Sequence, residues 1–184
     1  AQLTVPGMRL DLGGIAKGYA IDKAAGAMRQ AGATGGMVDI GGDLVCFGKP
    51  LGGKSHWLIG LQDPTSDDRI LLRLKLDDRA VATSGDYRRF TMINDQKYSH
   101  IVNPATANSA ADLSSVSIIA SSAMQADALA TAVSVLGHEK GMSMIESIQN
   151  VEAILITSAD PHFLSTAGAG RYIEPSSPQT HQGL

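Results

Sequence analysis

The chain has 184 residues, 43% hydrophobic and 18% charged, and these proportions are typical of one globular domain with a real core. Its net charge of −3 and its lack of any Lys/Arg run argue against a nucleic-acid partner, because such a protein needs a basic surface. The single cysteine, Cys46, excludes an intrachain disulfide framework and a cysteine-rich metal site. Its place in the apolar run LVCF predicts a buried thiol.

Targeting and membrane signals are not found in the sequence. No apolar stretch is long enough to span a membrane, and no signal peptide is present. The sequence begins with Ala1 rather than Met and enters a predicted strand almost at once. We therefore expect a piece of a longer protein whose targeting information has been removed.

The first half of the chain mixes strands with one helix. A helix is predicted from about Ala16 to Ala31, where apolar residues recur at helical spacing and Gly32 ends the pattern. Alternating or short apolar runs predict strands at residues 8–12, 37–40, 43–48, 56–62 and 70–76.

The second half shows the same mixture. In order, it predicts a short strand after Arg79, a polar turn at 83–86, a hairpin around Asn94-Asp95, a loop at 103–113, a strand at 114–121, a helix from 122 to 136 capped by Ser121 or Ser122, a helix at 138–148 and a strand at 151–158. Gly137 separates the two helices. The order predicts an α+β fold with one mixed domain over residues 1–172, followed by a polar tail at 173–184.

Residues 48–55, GKPLGGKS, match the phosphate-binding pattern G-x-x-x-x-G-K-[ST]. A functional loop of this kind follows a buried strand and opens a helix, whose N-terminus holds the phosphates. Here predicted strands flank the loop on both sides. We therefore interpret it as a glycine-rich hairpin connection rather than a nucleotide site.

The predicted helix 122–136 carries one charged residue between Ala123 and Leu136, namely Asp127. A helix that is apolar nearly all round is buried, so this carboxylate needs a partner. Thr131 lies one turn later on the same face, and together they offer three oxygens to a hard cation such as Mg²⁺. On spacing alone, a structural role for Asp127, as a loop cap or an arginine partner, is the favoured interpretation.

Two glycine motifs stand at the ends of predicted elements. DLGGIAKG, residues 11–18, is a strand, a turn and a helix start, and with Lys17 it could bind an anion. DIGGD, residues 39–43, brings two glycines to the end of a strand. For either motif alone, turn geometry is the better explanation. His100, in YSHIVNP, is likewise more often structural than catalytic when taken alone.

Four motifs occur in a specific order: DLGGIAKGYAID, DIGGD, ATSGDYRRF with YSHIVNP, and ADALATA. This combination resembles the FAD:protein FMN transferase family, the ApbE-like flavin transferases, from about Met8 to Arg171. Members of that family bind FAD with Mg²⁺, transfer the FMN half to a Ser or Thr hydroxyl of a target protein, and release AMP. They are typically exported in bacteria, which implies a periplasmic location.

The resemblance implies roles for individual residues. It implies a Mg²⁺ site formed by Asp127, Thr131 and the backbone carbonyl of Ala16, with His100 as the candidate for proton transfer at the accepting hydroxyl. It implies that FAD is bound by the two glycine motifs and the TSGDY segment, at Asp11, Gly14, Lys17, Gly18, Gly41, Gly42, Asp43, Thr83, Ser84 and Gly85. With the resemblance admitted, the metal becomes the favoured partner of Asp127.

Two departures from the family pattern affect the expected activity. The family is usually longer at the N-terminus, where part of the flavin pocket is formed. The segment after His100 reads NPATANSA, so Asn103 replaces a carboxylate and Ala107 a glycine. Reduced FAD affinity or transfer by this chain is therefore expected. Two alternatives stay open: a pyrophosphatase that releases FMN and AMP to water, and a non-catalytic FAD-binding module.

Overall fold

The computed structural model describes residues 2–66, 68–85, 90–93, 96–99, 101–104, 106, 108–110, 112–158 and 162–175. In chain order the described elements are α1 (Ala16–Gln30), β1 (Gly36–Ile40), β2 (Asp43–Phe47), β3 (Trp57–Gln62), β4 (Ile70–Leu76), β5 (Ala80–Gly85), β6 (Phe90–Ile93), β7 (Gln96–Ser99), β8 (Leu113–Ala120), α2 (Ala123–Glu146), β9 (Glu152–Thr157), β10 (Phe163–Ser165) and a 3-10 helix (Ala169–Arg171). The predicted α+β class is confirmed.

An antiparallel sheet in the order β1-β2-β5-β8-β9-β10 forms the centre of the domain. The strands β3 and β4 pair as a separate hairpin, and β6 pairs with β7. The register places Leu44 of β2 opposite Val81 of β5, and Val81 opposite Ile119 of β8. Neighbouring strands therefore present apolar side chains to the same face.

The sheet separates two apolar cores because side chains alternate along each strand. Val45 and Phe47 of β2 pack on the side of α1 and α2, whereas Leu44 and Cys46 pack on the side of the β3–β4 hairpin. Cys46 is fully buried, and this burial raises the pKa of its thiol to about 12. The predicted core thiol is confirmed.

The N-terminal half of α1 contacts the N-terminal end of α2. Both carboxylate oxygens of Asp22, on α1, accept hydrogen bonds from the first backbone N–H groups of α2, those of Ala123 (2.8 Å) and Met124 (2.9 Å). The Ser122 hydroxyl caps the same end by accepting from the N–H of Gln125 at 3.2 Å. At Gly137, whose φ is 78°, α2 kinks, so the predicted break between two helices is confirmed.

Several local predictions were wrong. Residues 8–12 do not form a strand and are exposed, because no described strand pairs with them. Thr83, Ser84 and Gly85 are not a turn but the end of β5, where they pair with Ser117, Val116 and Ser115 of β8. The short β10 and the 3-10 helix were not predicted. Asn94-Asp95 lie outside the described residues, although the strands of that hairpin are confirmed.

The glycine-rich segment 48–55 connects β2 to β3, as its flanking sequence predicts. The indole N–H of Trp57 donates to the carbonyl of Gly48 at 3.0 Å, and the Lys49 ammonium lies 2.7 Å from Asp77 Oδ2. No helix begins at this loop, so it lacks the backbone donors of a phosphate site. At the other end, Ile173 bridges to Leu74 of β4, and residues 176–184 lie outside the described part.

Neither of the two α-helices in the described ranges combines the length and the apolarity that crossing a membrane requires.

Candidate active site

The first turn of α1 and the second turn of α2 meet at a carboxylate. The backbone N–H of Gly18 donates to Asp127 Oδ2 at 2.9 Å, although the two residues are 109 positions apart. The residue before α1, Ile15, offers no capping side chain, so Asp127 satisfies one of the free N–H groups at the start of this helix. Gly18 is required here, because a Cβ would overlap the carbonyl oxygen of Ala123.

Asp127 is 4% exposed, and no lysine or arginine in the described ranges lies within ion-pair distance of it. Its pKa is raised, chiefly because burial disfavours the charged form. The Gly18 hydrogen bond and the charge of Lys17 lower this pKa, while the negative charge of Asp43 raises it further. The carboxylate is thus incompletely compensated by its described neighbours, which is the condition a bound cation would relieve.

Thr131 stands one turn after Asp127, and its hydroxyl donates to the Asp127 carbonyl at 3.3 Å. The turn before α1 passes directly over it: a Cβ at Gly14 would lie 3.1 Å from Thr131 Oγ1. Ala16 is the first residue of α1, two positions before Gly18. The structure therefore brings the segment 14–18 against Asp127 and Thr131, the residues for which a shared metal role was predicted.

Lys17 projects from the same turn and reaches β2. Its Nζ lies 2.5 Å from Asp43 Oδ2, where it forms an ion pair outside hydrogen-bond geometry. The other carboxylate oxygen, Oδ1, accepts from the backbone N–H of Thr83 at 3.0 Å. Asp43 is 2% exposed, whereas the Lys17 side chain is 43% exposed. Three predicted motifs are therefore joined at one buried carboxylate.

The two glycines of DIGGD form the connection between β1 and β2. Ile40 pairs with Asp43, and between them Gly41 and Gly42 have φ of 63° and 91°. Positive φ at both central residues is the pattern of the tight hairpin turn that favours glycine. The N–H of Gly42 donates to Asp39 Oδ1 at 2.9 Å. The turn geometry explains both glycines and leaves them at the edge of the site.

A cavity of about 330 Å³ opens on the other face of the sheet, between the sheet and the β3–β4 hairpin. Its polar lining includes the side chains of Thr83 and Ser117, whose hydroxyl oxygens lie 2.8 Å apart. The remaining lining residues are Met37, Asp39, Gly42, Leu44, Leu58, Ile59, Gly60, Leu61, Gln62 and Val81. This cavity suits a flat ligand with a few polar groups at its edge.

Not every predicted site residue joins this arrangement. Asp11 is exposed, and its side chain accepts from the N–H of Gly13 at 2.7 Å, which closes the turn before α1. Ser84 and Gly85 follow Thr83 in β5. His100 and Ala107 lie outside the described residues, so their predicted roles stay predictions. Within the described ranges, no three His, Cys, Asp or Glu side chains gather as a metal cluster.

Sequence reasoning missed two contributors, Ser117 and Gln62. Ser117 is 3% exposed and precedes the apolar end IIA of strand β8, and Gln62 ends the apolar strand β3. The usable signal was the polar residue within a strand that reads as buried, because such a residue needs a partner. The sequence could not reveal that β3 folds over the end of β5, since that contact depends on the tertiary arrangement.

Comparison with known proteins adds a family match. The model of the ApbE family matches residues 1–155 of this chain. The match covers both glycine motifs, Thr83, Asp127 and Thr131, and therefore every site element described above.

Individual relatives support the same family. The FAD:protein FMN transferase of Treponema pallidum (strain Nichols) is 37% identical over 164 residues, which cover 84% of this chain and 45% of that protein. The enzyme of the same name from Vibrio cholerae (strain O395) is 34% identical, over 90% of this chain and 49% of that protein. The crystal structure of the ApbE protein of Thermotoga maritima superposes with a TM-score of 0.80 at 36% identity, over 88% of this chain and 52% of that chain. The chain thus spans about half the length of the curated relatives it matches.

Proposed function

The chain belongs to the ApbE family, and on this basis we propose that it transfers FMN from FAD to a Ser or Thr hydroxyl of a target protein, with Mg²⁺ bound and AMP released. The observation that carries the proposal is Asp127. This buried carboxylate lies beside the N-terminal turn of α1 and has no cationic side chain bonded to it among the described residues. The structural alternative of an arginine partner has no described arginine to support it.

The residues around Asp127 fit a Mg²⁺ ion. Hard cations prefer oxygen ligands and are usually held by one or two carboxylates together with the phosphates of a substrate. Asp127 would provide the carboxylate, Thr131 the hydroxyl oxygen and Ala16 the backbone carbonyl. When bound, Mg²⁺ would neutralise charge on the pyrophosphate and polarise its phosphorus.

The start of α1 is suited to bind the pyrophosphate of FAD. Free N–H groups and the positive end of the helix dipole favour anions at a helix N-terminus. Lys17 adds a positive charge on a side chain that is 43% exposed, and in this proposal its ammonium contacts the ligand while it stays paired with Asp43. In this arrangement Lys17 binds and orients the phosphates, Gly14 brings the turn before α1 close to Thr131, Gly18 holds Asp127 through its backbone N–H, and Asp11 keeps the preceding turn closed.

The cavity beside Thr83 would hold a ring system of FAD. Leu58 and Leu61 provide an apolar wall, and the hydroxyls of Thr83 and Ser117 provide hydrogen-bonding groups. Gly42, at the rim, lets backbone approach the ligand closely, and Ser84 and Gly85 extend the same strand.

In the proposed reaction, the acceptor hydroxyl oxygen forms a bond to the phosphorus of the FMN half. The bond between that phosphorus and the bridging oxygen breaks, and AMP leaves with this oxygen. The hydroxyl proton passes to a base, for which we propose His100 on the family resemblance, since it lies outside the described residues. Such transfers depend on positioning and charge neutralisation more than on covalent help.

Two alternatives to FMN transfer stay open because the chain spans only about half the length of its curated relatives. Water could replace the acceptor hydroxyl, which would make the protein an FAD pyrophosphatase, or the chain could bind FAD without cleaving it. Export to the periplasm, like the protein acceptor, is proposed from the family resemblance alone.

One experiment separates the three outcomes. The chain is incubated with FAD, Mg²⁺ and a Thr-containing acceptor peptide, with an EDTA control, and the products are measured by mass spectrometry and AMP release. Transfer predicts peptide carrying FMN in equal amount to AMP. Free FMN with unmodified peptide indicates the pyrophosphatase. FAD binding without AMP would refute catalysis by this chain.

A further inference from the structure

Asp43 has a role that its sequence position does not reveal. Resting on the proposed function, we propose that Asp43 is a positioning residue that fixes the Lys17 ammonium and the end of β5 around the FAD pyrophosphate, and does not contact FAD itself. In this proposal the glycine turn of DIGGD lies next to the ligand. The carboxylate of its last residue, Asp43, instead holds the protein groups that surround the ligand.

The burial of Asp43 supports a positioning role rather than direct contact with FAD. The residue is 2% exposed and points to the helix side of the sheet, in the same alternation as Val45 and Phe47. Both of its oxygens are engaged within the protein: Oδ1 by the Thr83 N–H at 3.0 Å, and Oδ2 by Lys17 Nζ at 2.5 Å. Oδ2 is buried and makes this ion pair outside hydrogen-bond geometry, so burial rather than a full set of hydrogen bonds separates the carboxylate from a ligand.

The contacts of Asp43 join three separate segments. Lys17 belongs to α1, Asp43 begins β2, and Thr83 lies near the end of β5. The described part of β2 pairs with β5 only at Leu44–Val81 and Val45–Ala80, so the ladder stops short of Asp43 and Thr83. The carboxylate replaces ladder hydrogen bonds at the end of the sheet. It thereby sets the distance between Lys17 and the cavity lined by Thr83.

Lys17 depends on this anchor. A lysine side chain has four rotatable bonds and loses much rotamer entropy when it is held in one position. The ion pair holds the ammonium before any ligand arrives, and an ammonium has three N–H donors, so it can pair with Asp43 and still donate to a ligand. Preorganisation of this kind favours binding because the ligand does not have to order the side chain itself.

The electrostatics of Asp127 are consistent with this arrangement. Lys17 lowers the pKa of Asp127, whereas Asp43 raises it. The ammonium therefore acts on Asp127 as well as on Asp43, with which it is paired. A shift of Lys17 away from Asp43 would change both the anion site and the neighbourhood of Asp127.

A double-mutant cycle tests the proposal through FAD affinity. Asp43→Asn, Lys17→Met and the double variant are titrated with FAD in the presence of Mg²⁺, with flavin fluorescence as the signal, and their thermal unfolding is measured separately. We expect each single change to weaken FAD binding about tenfold, and the double variant to be no weaker than either single variant. Unchanged affinity in Asp43→Asn, or additive losses in the double variant, would overturn the proposal.

Glu152→Gln serves as the matched control. Glu152 is 9% exposed, and its Oε1 lies 2.8 Å from Arg171 Nη2, so it is also a nearly buried carboxylate in an ion pair. It begins β9, away from the proposed site. This variant should lower the melting temperature but leave FAD affinity unchanged. Equal losses of affinity in Glu152→Gln and Asp43→Asn would reduce the role of Asp43 to general stability and contradict the proposal.

Hydrogen exchange measured by NMR gives a second readout that needs no FAD. Lys17→Met alters a partly exposed side chain, so it should fold, and we expect faster exchange of the Thr83 amide because Asp43 loses its fixed counterion. Unchanged exchange at Thr83 in this variant would refute the proposal. If the wild type fails to bind FAD but this exchange pattern appears, the proposed function fails while the positioning of Asp43 stands.

Discussion

The backbone N–H of Gly18 donates a 2.9 Å hydrogen bond to Asp127 Oδ2, and this bond fixes the start of α1 against α2. The close approach is possible because residue 18 has no side chain. The same contact supplies the one described hydrogen-bond donor to the Asp127 carboxylate, the proposed metal ligand. The same hydrogen bond therefore packs the two helices together and positions the Asp127 carboxylate in the site.

Gly18→Ala should destabilise the protein by roughly 1–3 kcal/mol, because the added methyl overpacks the contact with Ala123. Gly26→Ala, in the same helix, is the control. A Cβ at Gly26 meets nothing within 4 Å, so alanine should stabilise by roughly 0.5–1 kcal/mol through helix propensity. Denaturant unfolding measures both. Stabilisation by both substitutions would show that α1 and α2 do not approach as described.

The sequence predicted most elements where one local pattern was sufficient. The helix at α1, the strand at β8 and the break at Gly137 follow from apolar spacing and from glycine, and these signals do not depend on distant contacts. Residues 8–12 have an equally good strand pattern, yet a strand also needs a neighbour. None of the described strands supplies one, and Leu10 is 70% exposed.

A site residue could be predicted from the sequence only where its local context showed that it needs a partner. Asp127 stood out because it is a lone charge in an apolar helix, and it is indeed buried. Asp43 did not stand out, because nothing in DIGGD shows that its last carboxylate turns inward to Lys17 and Thr83. Such pairings between distant segments depend on the sheet order, which local patterns do not encode.

Lys54→Ala should leave FAD turnover unchanged, because the loop 48–55 lies between two strands and offers no helix N-terminus for phosphate. Lys49→Ala is the comparison variant: it loses contacts with Asp77 and the Ser55 carbonyl and should change the melting temperature little, because both partners are exposed. AMP release and thermal unfolding test both. ATP hydrolysis that disappears in Lys54→Ala would overturn this interpretation.

Asn103→Asp should raise FAD turnover, since it introduces the carboxylate that resemblance to the family leads us to expect there. The backbone around it is already closed, with the Asn103 N–H donating to the Asn108 carbonyl at 2.8 Å, so the substitution should not change the fold. Flavin fluorescence titration and AMP release compare the two proteins. Identical affinity and rate would mean that this position is inert.

Asp112 and His138 should make stability depend on pH. Hydrogen bonding to Asp112 raises the pKa of His138 above 6.5. For Asp112, burial acts upward, but the N–H and ring of His138 outweigh it and the pKa falls below 3.8. The ion pair contributes its full stabilisation between pH 3.8 and pH 6.5, which are the unshifted pKa values of Asp112 and His138. It is lost above this window as His138 deprotonates and below it as Asp112 is protonated.

His138→Ala measures that contribution. The difference in melting temperature between wild type and variant should be largest near pH 5 and should shrink toward pH 8, and 1 M salt should reduce it because both side chains are partly exposed. A difference that grows from pH 5 to pH 8 would contradict the assignment of the charged pair.

Asp127→Asn tests the central claim. Thermal melts of wild type and variant are recorded in EDTA and with excess Mg²⁺ plus FAD. If Asp127 is a metal ligand, wild type gains stability on adding Mg²⁺ and FAD, whereas the variant gains little or none and melts at or above wild type in EDTA. If Asp127 is instead part of a structural ion pair, the variant melts far lower in EDTA, by the equivalent of roughly 3–5 kcal/mol, and both proteins respond alike to ligand. That second result would contradict the account.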